Sequence, residues 1–227
     1  MILCIADMLP AELLQEAQAL FAGSRFVDGR ETAGWHARQV KQNFQIVASQ
    51  PGARALQEKI LSQMAAHSVI TMAVLPRQFR PLLFSRYETG MSYGSHVDDA
   101  LMGRSASGAD EIRSDISFTL FLSPPENYDG GELVIESTSG EQVFKLQAGQ
   151  AVIYPSTSLH RVCEVTRGIR DAAVGWAQSY LRDAWQREML FELDTVRRAI
   201  FNRDGKSPEF DQLSKVYSNL LRCWAEG

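Results

Sequence analysis

The chain has 227 residues, of which 45% are hydrophobic and 22% charged, and carries a formal net charge of -4. That length suits one domain, or one domain with helical additions, with a sizeable buried core; the composition argues against a disordered or membrane-embedded chain. Acids and bases interleave, so no broad electropositive surface for nucleic acid is expected.

The N-terminus, MILCIADMLPAELLQ, has no basic leader before its apolar residues and meets Asp7 and Pro10 at once, so we expect neither a signal peptide nor a membrane span and place the protein in the cytoplasm. Pro10 to Ala22 has apolar residues at helical spacing, proline in the first turn and Gly23 as a stop. Residues 24–50 are mixed, with turns at Gly29 and Gly34, a histidine at His36 and a short strand around Gln45 to Ala48. Leu56, Ile60, Leu61 and Met64 mark a second helix over 52–70, with His67 in its last turn as a structural residue.

From about Phe79 the period becomes that of strands: RPLLFSRYE, SYGSHVD, SDISFTLFLS, GELVIES, EQVFKLQ, QAVIYPS, HRVCEVT and RDAAVGWAQSYL, separated by turn residues. About eight strands in roughly a hundred residues, with no helix between them, predict an antiparallel jelly roll. Tyr128-Asp129-Gly130-Gly131 reads as a turn, and 101–113 as a small polar loop that either folds over a site as a lid or is simply exposed. Beyond Tyr180, Trp185, Met189, Leu193, Val196 and Ile200 line one helix, and Leu213, Val216, Leu220 and Trp224 a second that starts at Ser207-Pro208-Glu209. These helices either cover the roll or pair with a second copy of the chain. The expected class is α+β, mainly β: a helical support region at 1–78, a double-stranded β-helix (jelly roll) at 79–180 and a helical extension at 181–227. Three scattered cysteines, Cys4, Cys163 and Cys223, suggest neither a disulfide framework nor a zinc knuckle.

The stretch that promises chemistry is Tyr87 to Asp98, YETGMSYGSHVD. On a strand, His96 and Asp98 share a face, and one further donor completes a three-ligand metal site. The other histidines are His36, His67 and His160; His160, just after the apolar strand QAVIYP, is the best placed. Two imidazoles and a carboxylate on one face of a metal leave other positions open, as in non-haem Fe(II) oxygenases, whereas a structural zinc is enclosed by four protein ligands. Along the last strand Arg170, Val174 and Trp176 share a face. A buried Arg170 needs an anion: either a carboxylate-bearing ligand or an acid of the chain such as Asp115.

The order Tyr87, Gly90, His96-Val97-Asp98, SFTLFLS, YDGGEL, YPSTSLHRV and RGIRDAAVGW resembles the prolyl-4-hydroxylase-like Fe(II)/2-oxoglutarate dioxygenases, and among them the bacterial PKHD-type hydroxylases; the motifs span roughly residues 79–180. The resemblance implies that His96, Asp98 and His160 bind Fe(II), that Arg170 holds the distal carboxylate of 2-oxoglutarate, and that Tyr87 and Trp176 line the co-substrate pocket. Where some relatives have a second co-substrate tyrosine, this chain has Phe121, and Asp99 stands where the subfamily usually has asparagine. It further implies hydroxylation with O2, release of succinate and CO2, ascorbate as the reductant that rescues oxidised iron, and a link to iron uptake. The substrate is then a siderophore-like small molecule or a protein side chain, and Arg104 and Arg113 are either solvated or set to meet an anionic one. Two rival readings use the same donors: a cupin-like metal-dependent isomerase or hydrolase, and a non-catalytic sensor of iron or an acidic metabolite.

Overall fold

In the computed structural model the described residues are 1–47, 49–103 and 111–226. Among them the strands form a nine-stranded sheet, a five-stranded sheet and a two-stranded ribbon, and every pair is antiparallel. The larger sheet runs Leu3–Ile5, Ala151–Pro155, Ile116–Phe121, Val165–Ser179, Leu83–Glu88, Phe44–Ile46, Phe26–Asp28, with Pro76–Phe79 and Tyr128–Gly130 also pairing with Val165–Ser179. The smaller runs Gly140–Phe144, Leu133–Ser137, His160–Val162, Ser92–His96, Lys41–Gln42. The two sheets face each other as the jelly roll expected from the strand spacing.

The central strand Ile116–Phe121 explains why the roll has two interiors. All six residues are buried, and its period of two sorts them. Ile116, Phe118 and Leu120 join the core under the helices, while Phe121 joins a second core inside the roll with Tyr87, Tyr128, Tyr154 and Val162. Ser117 and Thr119 face inward and line the cavity between the sheets. On Val165–Ser179, Ala173 and Ala177 pack outward under the helices; between them, a Cβ on Gly175 would lie 2.5 Å from the Phe118 ring. Arg170 is left on the inner face.

Helices α1 (Ala11–Gly23) and α2 (Ala53–Ala66) cover the outer face through Ala17 and Phe21, and through Leu56, Ile60 and Met64. The single helix expected over 52–70 is broken at His67, which is extended (φ -74, ψ 124), and resumes as α3 (Ser68–Val74). The packing explains the break: at 100° per residue an unbroken helix would carry Ile70 about 120° away from Met64, and resetting the phase lets both be fully buried in one core.

Helices α4 (Ala184–Asp204) and α5 (Pro208–Trp224) pack on each other, and α4 also packs on α3, so the extension covers part of the support helices. Ser207 caps α5 by accepting from the Phe210 N–H at 3.2 Å. The chain end is tied back to the roll by Arg113, which donates to Asp115 at 2.6 Å and to Glu226 at 2.7 Å, while Asp115 also accepts from the Ser179 N–H at 2.9 Å. Arg113 is therefore spent on the fold and not on a substrate. Arg113→Met strands a buried carboxylate and is expected to cost roughly 3 kcal/mol, lowering the thermal midpoint by about 6–12 °C in a melt. The loop 101–113 survives in part as the ribbon Leu101–Met102 with Ile112–Arg113; Arg104 and the span considered as a lid, 104–110, lie outside the described residues. Among the described residues no helix is long and apolar enough to cross a membrane.

Candidate metal and co-substrate site

His160 and His96 are direct register partners on adjacent strands of the smaller sheet, so a long-range pairing, not local sequence, brings them together. Their rings lie 4.2 Å apart. The strand expected to carry both His96 and Asp98 ends at His96, and Asp98 comes from the segment just beyond. The histidine and aspartate ligand atoms nevertheless all fall within 4.8 Å of one another, with His160 Nε2 3.9 Å from Asp98 Oδ2. His36 and His67 take no part. His36 precedes the short turn Ala37–Gln39, edge-on to Trp35, and His67 sits between α2 and α3.

Each element of the cluster is held from behind. His96 Nδ1 donates to the Gly94 carbonyl at 2.9 Å and His160 Nδ1 to that of Ser158 at 3.0 Å. A carbonyl can only accept, so each Nδ1 carries a proton, and in the neutral ring this leaves the Nε2 lone pair as the one a metal would take. Tyr93 stacks on His96 at 3.6 Å, and Tyr154 meets the His160 ring edge-on at 5.1 Å. Burial, reinforced by the neighbouring His160, pushes the His96 pKa down to about 4, so the imidazole is neutral at ordinary pH. Ser117 Oγ donates to Asp98 Oδ2 at 2.5 Å and lies 2.8 Å from Ser156 Oγ. The three donors front a cavity of about 500 Å³, also lined by Tyr87, Thr119, Val174 and Trp176, a size suited to small molecules.

Arg170 lies at the inner end of the roll, 1% exposed, with its guanidinium carbon 5.2 Å from the Tyr87 ring and 5.4 Å from that of Phe121. Its Nε and Nη2 are enclosed and have no hydrogen-bond partner. The acids that could neutralise it are engaged elsewhere: Asp115 by Arg113, and the adjacent Asp171 by Arg86 through two 2.8 Å bonds. The pairing of Arg170 with Asp115 is thus excluded. An enclosed cation with unmade bonds costs several kcal/mol, and a bound carboxylate would remove that cost.

Tyr128, read from sequence as part of a turn, is instead a fully buried strand residue whose hydroxyl also has no partner. Burial raises its pKa, while the charge of Arg170 and the close approach of its guanidinium to the hydroxyl oppose the rise. Gly131 (φ 67) makes the approach possible: a Cβ there would lie 2.9 Å from Arg170 Cδ and 3.1 Å from the Tyr128 ring. Sequence reading also passed over Ser117, Ser156 and Lys41, although alternation along SFTLF marks Ser117 as inward-facing.

A cluster of two imidazoles and a carboxylate fronting a cavity, with an unneutralised guanidinium buried deeper in the same roll, fits an iron ion and a dicarboxylate. A model described as the 2OG-Fe(II) oxygenase superfamily matches residues 82–178, which is the class that this roll and cluster define. Over 78% of the chain the fold is similar to a Pseudomonas putida prolyl-4-hydroxylase, with a TM-score of 0.51 at 21% identity over 92% of that chain. It is likewise similar to a Trichoplax adhaerens prolyl hydroxylase solved with a hypoxia-inducible-factor peptide, with a TM-score of 0.53 at 13% identity over 78% of this chain and 82% of that one.

A second model, the PKHD-type hydroxylase C-terminal domain, matches residues 184–226. PKHD-type hydroxylases of Acaryochloris marina and of a Synechococcus strain are 52% and 53% identical to the chain, each over 100% of both sequences. The chain belongs to the PKHD-type hydroxylases and is an Fe(II)- and 2-oxoglutarate-dependent dioxygenase.

Proposed function

We propose that the enzyme hydroxylates a carbon of its substrate, with His96, Asp98 and His160 as the iron ligands and Arg170 as the anchor of the far carboxylate of 2-oxoglutarate. The observation that carries this is the buried, unneutralised Arg170 in the same roll as a pre-oriented three-donor cluster. When bound, iron and 2-oxoglutarate supply the oxidant, using O2 and yielding succinate and CO2. The chain's part is to hold both. The Nδ1 bonds to backbone carbonyls aim the imidazoles, Ser117 fixes one oxygen of Asp98, and Trp176 and Tyr87 wall the pocket. Asp98 matters for the outcome, since it would give a bound iron a carboxylate ligand, the donor set of hydroxylating non-haem iron enzymes.

Tyr128 is the second donor to the far carboxylate, from a different strand than the one where Phe121 presents only a ring face. Tyr128→Phe is expected to weaken 2-oxoglutarate binding about tenfold, the size of one hydrogen bond to a charged group, measured by titrating the visible band described next.

The test is an anaerobic titration: Fe(II) with 2-oxoglutarate should give a visible charge-transfer band, and admitting air should form succinate slowly even without substrate. Turnover supported by zinc in the absence of oxygen would favour the isomerase or hydrolase instead, and binding without succinate the sensor. Ascorbate is the reductant we propose for sustaining turnover, in the cytoplasm. An iron-chelating small molecule or an iron-transport protein is the first substrate to assay, on the strength of the family resemblance alone. The half-exposed Trp185, Met189, Val196 and Phe201 of α4 make a second copy of the chain the proposed partner of the extension, which sedimentation would test.

A further inference from the structure

Residues 41 to 45 bridge the two sheets: Lys41 pairs with Tyr93 at the edge of the smaller, and Gln45 with Ser85 in the larger. Period two turns Lys41, Asn43 and Gln45 to one side, and all three line the cavity at 5%, 3% and 3% exposure. Three buried polar side chains at consecutive inward positions are costly unless something satisfies them.

Gln45 is satisfied, because Thr32 Oγ1 lies 2.9 Å from its Oε1. Lys41 is not. Its ammonium has three protons to give, one directed to Thr32 Oγ1 at 3.1 Å, and among the described residues no carboxylate is within ion-pair distance. It lies 5.1 Å from the centre of the Tyr93 ring, whose stacking on His96 puts the cation one aromatic ring away from the donor cluster. Burial pulls its pKa down to about 8, with Asp98 and Asp28 pulling back, so at neutral pH it is mostly charged. Neither end of the Asn43 amide makes a well-formed hydrogen bond, and its polar neighbour is the Tyr87 hydroxyl, which it approaches closely enough to oppose the effect of burial there. The amide is seated by Gly29, where a Cβ would lie 1.9 Å from Asn43 Oδ1.

We infer that this strip anchors the substrate, and that the substrate carries a carboxylate received by Lys41, with the Asn43 amide offering a donor and an acceptor farther along. The assignment rests on the reading of His96, Asp98 and His160 as the iron site, since it places the anchored acid beside them. In the proposed function Arg170 serves a separate carboxylate deeper in the roll, so the substrate's acid and the co-substrate's far acid would each have their own cation.

The test compares the full-length wild type with Lys41→Met, each loaded anaerobically with Fe(II) and 2-oxoglutarate. The probes are N-acetylated amino acids, each offered as the free acid and as the neutral carboxamide. Calorimetry is expected to show the acids binding the wild type at least about tenfold more tightly than their amides, as for a hydrogen bond between charged groups. Lys41→Met should erase that preference while keeping the charge-transfer band and its 2-oxoglutarate dependence, and Lys41→Arg should restore part of it. Acids and amides binding alike to the wild type, or neither binding, would overturn the inference. So would loss of 2-oxoglutarate affinity in Lys41→Met, which would assign the lysine to the co-substrate. A wild type without the band defeats the oxygenase reading instead; the acid-over-amide preference and its loss in Lys41→Met are then still read on the metal-free protein.

Discussion

His96→Ala is expected to abolish the charge-transfer band and the succinate formed on admitting air, while leaving the apoprotein folded. The donor set explains the size of the effect. Each of the three residues offers one potential ligand atom within 4.8 Å of the others, and on the proposed iron site removing one leaves a pair with no facial geometry to enforce. Changing even a supporting group behind a ligand costs about 10–100-fold in metal affinity, so losing the ligand itself should cost at least about a hundredfold. The fold tolerates the change because the histidine ends its strand and its ring is held by a single backbone carbonyl and the face of Tyr93. Equilibrium dialysis with Fe(II) and absorption with 2-oxoglutarate measure the two losses; circular dichroism checks the fold. A band of wild-type intensity in the variant would remove His96 from the metal site.

The parts of this site legible in sequence are those whose signal is local. Alternation along SFTLF and the continuous apolar run AVIYP mark central strands of a roll, and His96 and Asp98 are two residues apart. What brings His160 opposite His96 is sheet register, which no window of sequence displays, so it was reached by the order of motifs. Tyr128 was hidden by its neighbours: an aspartate and two glycines after it read as a turn, whereas Gly130 and Gly131 take positive φ (72 and 67) to let a short strand pair, with a bulge, against Val165–Ser179. Lys41 was hidden by length, since strands of two and three residues at Lys41–Gln42 and Phe44–Ile46 are too short for a period to stand out. The break at His67 was invisible because both halves of 52–70 are good helix, and only the shared core requires the change of phase.

Arg170→Met should abolish high-affinity binding of 2-oxoglutarate and yet leave the ligand-free protein as stable as the wild type, or more so. The two effects have opposite signs for one reason. In the ligand-free protein the guanidinium is 1% exposed, its Nε and Nη2 are unbonded, and no carboxylate among the described residues neutralises it. Replacing such a charge with an apolar side chain of similar length removes a desolvation cost and keeps the packing against Tyr87 and Phe121. On the proposed anchoring the balance reverses when the co-substrate is present, because two hydrogen bonds from the guanidinium to its far carboxylate, each worth about 1.5–3 kcal/mol, would be lost. An affinity loss of at least about a hundredfold follows. Thermal melts in Mn(II) read both signs together: adding saturating 2-oxoglutarate to the Mn(II)-loaded protein should raise the wild-type midpoint further, since a ligand at a hundred times its Kd adds about 2.7 kcal/mol, and should leave that of Mn(II)-loaded Arg170→Met unmoved. An arginine serving only the fold would give the reverse pattern, a lower midpoint without ligand and an undiminished response to it. Arg170→Lys separates charge from shape: one ammonium can keep the attraction but not the forked geometry, so its affinity should fall between the other two.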